Sequence, residues 1–244
     1  DSVNIQKKDL YKQQYELSLF INVLRDQLLK KGFFEHHLYS TLNYKIENTE
    51  TFKLKEDLYL RYNPEPDIWQ VGLKHDEFFW IGSMFRDEKK ISSLHRNEFT
   101  VFDVYQSNGT VDRAVDLFVE LLKALEQKLD LTALSGLEFK YTTHAEFAQE
   151  KTKGTHWLIV TDYPTEESFY DAQGKEQAST QKFEIFFVGK GESIEIAACG
   201  KLGTNLNKTN YISDHEEVFV NQSLLEKDFI GFGIGLERLV SLYQ

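Results

Sequence analysis

Cysteine is almost absent from this sequence: Cys199 is the only one in 244 residues. One thiol cannot form an intrachain disulfide, which is typical of proteins from a reducing compartment. No apolar run approaches the ~20 residues that a membrane-spanning helix needs, and the N-terminal segment has no apolar signal core. These absences predict a cytoplasmic location and exclude a membrane partner.

Positive charge is also scarce. The chain carries 28 Lys and Arg residues against 39 Asp and Glu residues, which gives a formal net charge of −11. An acidic protein has no overall electrostatic attraction to a polyanion. The composition therefore gives no argument for a broad nucleic-acid-binding surface.

The chain does contain strong periodic signals. Apolar residues at helical spacing predict helices over 10–31, with Gly32 as a stop, and over 111–129. A third helix is predicted within 231–243, opened by a glycine turn. Runs rich in aromatic and β-branched residues predict strands. These strands are Leu58–Tyr62, Phe78–Arg86, Glu98–Tyr105, Trp157–Thr161, Phe183–Val188 and Ser193–Ala198.

The order of these elements predicts the fold class. Helices do not alternate regularly with strands, so a doubly wound parallel sheet is not expected. The last two predicted strands are separated by Gly-Lys-Gly-Glu, a hairpin signal, and the polar stretch 172–181 is predicted to be a loop. We expect an α+β fold, an antiparallel sheet flanked by helices, in a single domain over 1–244.

One candidate site is the segment from Phe85 to Thr100. It reads as a strand, a polar loop and a returning strand, and alternation would put Arg86 and Glu88 on one face. A guanidinium binds phosphate well, and a carboxylate binds an amino group. His95 in the loop can reach further phosphates, and Phe99 offers a ring for a base to stack on. A surface hairpin with an Arg–Glu ion pair explains the same pattern.

The second candidate is Gly-Phe-Gly-Ile-Gly-Leu-Glu-Arg-Leu over 231–239. Alternate glycines allow close backbone approach to a sheet or ligand, and Arg238 follows in the first helical turn. The pattern lacks the third glycine of a dinucleotide-binding turn and its βαβ context. Close helix–sheet packing with an exposed arginine is the alternative reading.

Together the two segments resemble motifs 2 and 3 of the class II aminoacyl-tRNA synthetases. Three more segments carry the resemblance: Leu-Arg-Tyr-Asn-Pro-Glu at 60–65, Thr-Asp-Tyr-Pro at 161–164, and Phe183-Glu184 followed by Glu195-Ile196. The chain looks most similar to the lysyl/aspartyl/asparaginyl group. Within it, the likeness is to lysyl-tRNA synthetases and to their short paralogues that attach lysine-like groups to elongation factor P.

The resemblance implies an ATP-dependent ligase with ATP and Mg²⁺ as cofactors. Arg86 would hold the α-phosphate, and Arg238 would cover the adenine and contact the γ-phosphate. Glu88 would read the adenine amino group, Phe99 would stack on the base, and His95 would reach the terminal phosphates. The amino acid would be activated as an aminoacyl-adenylate and transferred to a tRNA or a protein.

The same resemblance implies the remaining site residues. Glu195 would hold the magnesium ion, and Glu65 would take the α-ammonium group of the amino acid. Asp103 and Tyr105 fall where lysyl enzymes contact the ε-amino group, which favours lysine or a lysine-like substrate.

The sequence departs from the family pattern in two places. Motif 1, which implies a homodimer, lacks its proline, and Tyr39 stands near that place. Leu202 replaces a second acidic residue of the metal and substrate site. No anticodon-binding domain is expected within this length. Two alternatives therefore stay open: a non-catalytic regulatory or binding paralogue, and an amide-forming ligase of the asparagine-synthetase type.

Overall fold

The computed structural model describes residues 2–45, 49–89, 91–92, 95–164, 180–202 and 228–244. Its five helices within these ranges are α1 Ser2–Lys30, α2 Glu65–Gly72, α3 Val111–Leu129, α4 Phe147–Glu150 and α5 Leu236–Leu242. Its strands are β1 Phe34–Glu35, β2 Thr41–Leu42, β3 Lys53–Lys55, β4 Leu58–Leu60, β5 Glu77–Phe85, β6 Glu98–Ser107, β7 Phe139–Thr143, β8 His156–Thr161, β9 Lys182–Gly189, β10 Glu192–Leu202 and β11 Phe229–Gly235. None of the helices described is both long and apolar enough to cross a membrane.

The strands form one large sheet and one small one. The large sheet has eight strands in the order β1-β5-β6-β11-β10-β9-β8-β7, and the small sheet has the order β2-β4-β3. In the large sheet only the two edge pairs, β1 with β5 and β7 with β8, are parallel. The α+β prediction of an antiparallel sheet flanked by helices is confirmed.

Local sequence explains the helix ends. Thr110 caps α3, because its side-chain oxygen accepts a hydrogen bond from the backbone N–H of Arg113. Asp130 ends α3 in the left-handed conformation, with φ of 53°. Gly32 follows α1 with φ of 87°, a conformation that suits glycine, so the predicted stop is confirmed. The hairpin between β9 and β10 turns through Lys190 and Gly191, both at positive φ, as its sequence predicts.

One face of the large sheet forms the core with α1, α3 and α5. Side chains that alternate along the strands point to opposite faces, and every second one enters this core. The strand residues that enter it are Phe79, Phe102, Val104, Trp157, Ile159, Phe183, Ile185, Ile230, Phe232 and Ile234. Leu24, Leu28, Phe118, Leu121 and Leu125 from the helices are almost completely buried against them. The opposite face of the sheet is therefore left for the candidate site.

Three predicted boundaries are wrong in ways that matter for the site. β4 ends at Leu60 rather than Tyr62, and β5 ends at Phe85 rather than Arg86. Arg86 and Glu88 therefore do not alternate along a strand, and the same-face argument for them fails. The glycines at 231–235 form β11 rather than a turn, because they pair between β6 and β10. Most of the loop predicted at 172–181 lies outside the described residues.

Candidate active site

The glycines of β11 face the side of the sheet opposite α1, α3 and α5, and we call this glycine-lined region the trough. Gly231 and Gly233 pair with Tyr105 and Asp103 on β6. A Cβ atom at Gly231 would lie 2.4 Å from a ring carbon of Tyr105, and one at Gly233 would lie 3.4 Å from the Asp103 carboxyl carbon. The tyrosine and aspartate side chains thus lie across the glycine strand, and a larger residue at 231 would displace Tyr105.

Arg86 lies against two aromatic rings at one side of the trough. Its guanidinium carbon is 5.0 Å from the ring centre of Tyr62 and 5.1 Å from that of Phe99, within the range of cation–π attraction. The backbone N–H of Arg86 donates to the carbonyl oxygen of Asn97 at 2.9 Å, which fixes the start of the loop. Its Nε atom is buried and has no hydrogen-bond partner among the described residues. This arginine therefore retains a donor for a ligand.

Arg238 reaches the trough from the first turn of α5. Its Nη1 atom donates to the backbone oxygen of Glu195 at 3.0 Å and lies 3.5 Å from the Glu195 carboxylate. The neighbouring Glu237 carboxylate accepts hydrogen bonds from the backbone N–H of Thr100, which both of its oxygens share, and from the Thr100 hydroxyl, all at 2.9 Å. The helix start and β6 are thereby joined, although they are far apart in sequence.

A β-bulge sets the direction of Glu195. The pairing of β10 with β9 shifts between Glu195, opposite Phe186, and Ala197, opposite Ile185. Ile196 and Ala197 both enter the core, so the extra residue leaves Glu195 on the trough face. Strict alternation would have put Glu195 on the same side as Ala197.

Glu184 on β9 is a second carboxylate on this face. Its Oε2 accepts a hydrogen bond from the Tyr163 hydroxyl at 2.7 Å, and its Oε1 lies 2.9 Å from the Lys182 ammonium group. That ammonium group also lies 4.4 Å from the centre of the Tyr163 ring. None of these three residues was assigned a role from the sequence. Alternation along β9 could have indicated that Lys182 and Glu184 share a face.

The charges around Glu195 act on one another. Burial raises the pKa of the Glu195 carboxyl above its ordinary value, and the Glu184 charge raises it further. Arg238, Arg86 and Lys182 act in the opposite sense, in that order of size. Arg86, Arg238, Glu184 and Glu195 come from separate segments of the chain but influence one another, so they belong to one site.

Asp103 and Tyr105 lie at the bottom of the trough. Asp103 is buried, and loss of water raises the pKa of its carboxyl to about 7, although a hydrogen bond from Tyr105 lowers it. The Tyr105 ring stacks on Phe78 with centres 5.1 Å apart. Phe99 lies on the same face as this pair, because it is an even number of residues away from both along β6.

The other predicted residues are placed less centrally or are not described. His95 is exposed, and its backbone N–H and ring contact Ser92 within the loop. The backbone N–H of Glu88 donates hydrogen bonds to the carbonyl oxygen of Arg86 and to the side-chain oxygen of Asn97. The side chains of Glu65 and Leu202 lie outside the described part of the structure. Within that part, no three His, Cys, Asp or Glu side chains form a metal cluster.

This antiparallel sheet, with helices packed on it, has the fold of a class II synthetase domain. Asparaginyl-tRNA synthetase from Pyrococcus horikoshii, solved with asparaginyl-adenylate, superposes with a TM-score of 0.76 at 16% identity. The alignment covers 95% of this chain and 64% of that one. The asparaginyl-tRNA synthetase of Entamoeba histolytica, also with asparaginyl-adenylate, gives 0.74 at 13% identity, over 96% and 63% of the chains. At these identities the likeness concerns the fold.

Residues 4–244 match the family model described as tRNA synthetases class II (D, K and N), and the chain belongs to this family. A lysine–tRNA ligase from Fervidobacterium nodosum is 32% identical over 117 residues, which are 45% of this chain and 23% of that protein. The chain thus spans less than two thirds of the length of these relatives.

Proposed function

We propose that this chain is an ATP-dependent ligase that activates an amino acid as an aminoacyl-adenylate. One observation carries the proposal: Arg86 and Arg238 approach the Glu195 carboxylate from different elements over a floor of glycines. The glycines allow the Tyr105 and Asp103 side chains to lie across β11, and the arginines suit the negative charge of a substrate. The family supplies the reaction type, and the geometry supports it.

Adenylate formation joins two anions, a carboxylate and the α-phosphate of ATP. The site must therefore neutralise charge and align the partners, and it needs no protein nucleophile. In this proposal Arg86 binds the α-phosphate, and its free Nε donor makes it suited to that role. Arg238 and Phe99 lie on either side of the adenine, and Glu88 and His95 contact the base and the terminal phosphates. Because Arg86 rests on the Phe99 ring, it has to turn aside when a base stacks there.

The donor set fits a magnesium ion. Mg²⁺ is usually bound by one or two carboxylates together with substrate phosphates and water. Glu195 and Glu184 offer two carboxylates on one face, so a complete protein cage is not required. When bound, the ion would offset phosphate charge. Glu184 would then supply the second carboxylate, which Leu202 cannot provide.

Asp103 and Tyr105 favour a basic amino acid. A buried carboxylate needs a cationic or hydrogen-bonding partner, and an ammonium group at the end of a flexible side chain supplies one. The lysine–tRNA ligase relationship agrees with this choice. We place lysine or a lysine-like amino acid in the trough, with Glu65 at its α-ammonium group. A tRNA or a protein accepts the activated group.

Amino-acid-dependent exchange of pyrophosphate into ATP tests the proposal. All twenty amino acids are screened with Mg²⁺, and we expect a signal with lysine. ATP binding without exchange for any amino acid would refute activation of these substrates and favour the non-catalytic paralogue. Asparagine formed from aspartate and ammonium would instead identify an amide-forming ligase. Light scattering of the same sample tests the homodimer.

A further inference from the structure

The Lys182 ammonium group lies beside Glu184, one of the two carboxylates of the proposed site. Lys182 and Glu184 are two residues apart on β9, so their side chains share the trough face. Glu195 on β10 faces Phe186, which places it diagonally across from Glu184 on the neighbouring strand. The Lys182 charge acts on Glu195 as well as on Glu184. The lysine therefore pairs directly with Glu184 and acts more weakly on Glu195.

The position of this ammonium group is fixed by its surroundings. Glu184 holds it by a 2.9 Å ion pair, and the Tyr163 ring lies beneath it. The Lys182 and Glu184 side chains are only 16% and 15% exposed, so water screens the pair less than it screens a surface pair. Tyr163 also donates to the other oxygen of Glu184. Both oxygens of that carboxylate thus have a partner before any ligand binds.

We propose that Lys182 is a resident cation of the Glu184–Glu195 pair, which weakens divalent-cation binding to the free protein and holds Glu184 in position for the nucleotide complex. A divalent ion near Glu184 meets the repulsion of the ammonium group and competes with it for Oε1. ATP phosphates add negative charge and offset that repulsion. The site therefore favours a metal that arrives with nucleotide over a metal alone. Only the last step, the preference for a metal that arrives with nucleotide, rests on the proposed function.

Mn²⁺ titration of the protein without nucleotide tests the inference directly. Mn²⁺ replaces Mg²⁺ as the probe because its paramagnetism reports binding, and catalysis is not required. Removal of a positive charge a few ångströms from the pair by Lys182→Met should raise the Mn²⁺ affinity about tenfold. Lys182→Arg keeps the charge and should stay within about twofold of the parent protein.

Lys201→Met is the matched control. Lys201 lies on the neighbouring strand, is 23% exposed and forms a 3.2 Å ion pair with Asp228. It is in register with Ile230, a core residue, so it projects from the other face of the sheet. Its loss should leave Mn²⁺ affinity within about twofold, although one positive charge is removed there too. The double variant Lys182→Met/Glu184→Gln should lose the gain in affinity.

Three results would overturn the inference. They are an Mn²⁺ affinity that is unchanged or lower in Lys182→Met, an equal gain in Lys201→Met, and no Mn²⁺ binding by either the parent protein or Lys182→Met. Thermal melting of each variant shows that the fold is retained; should Lys182→Met unfold, Lys182→Gln replaces it. Failure of this inference can be told apart from failure of the proposed function. Pyrophosphate exchange can succeed while the Mn²⁺ affinity is unchanged in Lys182→Met, and the Mn²⁺ affinity can rise in that variant while exchange is absent.

Discussion

The two sides of the trough hold their charges in different ways. On the β5–β6 side, Arg86 rests on aromatic rings and Asp103 is hydrogen-bonded to a phenol. On the β9–β10 side, the charged groups contact one another and the backbone directly. Paired charges stabilise the protein and stay in place, whereas charges held by rings keep their hydrogen-bonding capacity. We infer that the first side responds to ligands and the second provides a fixed electrostatic frame.

Arg86→Ala should have the largest effect on activity and little effect on stability. One preorganised charge contact in a transition state contributes ~3–4 kcal/mol, so pyrophosphate exchange should fall by at least ~100-fold. The melting temperature should change little, because the guanidinium is held mainly by rings. Arg113→Ala is the control, since Arg113 forms an exposed ion pair with Glu77 away from the trough. Equal losses in the two variants would refute the role of Arg86.

Arg238→Ala should reduce both stability and activity, unlike Arg86→Ala. Its guanidinium donates to the Glu195 backbone oxygen at the bulge and lies near the Glu195 carboxylate. Loss of this hydrogen bond should destabilise the fold by about 1–2 kcal/mol. Exchange should fall by roughly 30-fold. Urea unfolding and exchange are measured together; full stability in Arg238→Ala would contradict the fixed frame.

Asp103→Asn should change the affinity for the amino acid in a pH-dependent way. Because the pKa of Asp103 is raised to about 7, the carboxyl is ionised above that pH and neutral below it. A basic amino acid pairs with the ionised form, so KM for lysine in the parent protein should fall as pH rises through 7. At pH 8 the variant should have a KM about tenfold higher, since a charged hydrogen bond contributes ~1.5–3 kcal/mol. An unchanged pH profile in Asp103→Asn would contradict this pairing.

Asp103→Asn should weaken amino-acid binding, as described above, but stabilise the folded protein at high pH. The folded protein keeps a proton on Asp103 between its ordinary pKa of 3.8 and about 7, whereas the unfolded chain loses it. Folding stability from this group is therefore present below the lower value and falls as pH rises through the window. Asp103→Asn should be more stable than the parent at pH 8, by at most about 4 kcal/mol, and equal near pH 4. Urea midpoints at the two pH values measure it.

Tyr62→Leu should have the smallest effect, confined to nucleotide binding. The Tyr62 ring contacts the Arg86 guanidinium, whose carbon lies 5.0 Å from the ring centre. An exposed cation–π contact contributes ~0.5–1 kcal/mol, so KM for ATP should rise about threefold. Tyr62→Phe keeps the ring and serves as the matched control. A threefold rise in both variants would assign the effect to the hydroxyl group instead.

Elements that follow a simple period could be predicted from sequence. The spacing of Phe118, Leu121 and Leu125 fixes a helix, and the aromatic strands bury every second residue as expected. The glycine strand could not be recognised, because glycine has low strand propensity and its pairing depends on Tyr105 and Asp103 from a distant segment. Only tertiary contact makes glycine the residue that fits there.

The identity of several site residues could be predicted from sequence motifs. The direction in which their side chains point could not, because it depends on strand pairing. Arg86, Glu195 and Arg238 came from the motifs, and the structure brings them together. The orientation of Glu195 depends on a bulge that alternation does not reveal. The closeness of Glu184 and Glu195 depends on the pairing of β9 with β10, and the predicted hairpin turn did not reveal the bulge in that pairing.

The contact of Glu237 with Thr100 has a mechanical consequence. It joins α5, which carries Arg238, to the residue that follows Phe99 in β6. The backbones beneath the guanidinium and the ring are thus linked by hydrogen bonds as well as by the chain. If a base enters between these two side chains, a hinge motion between the strand and the helix would have to break these hydrogen bonds. We expect the opening of the gap to come from rotation of the two side chains instead.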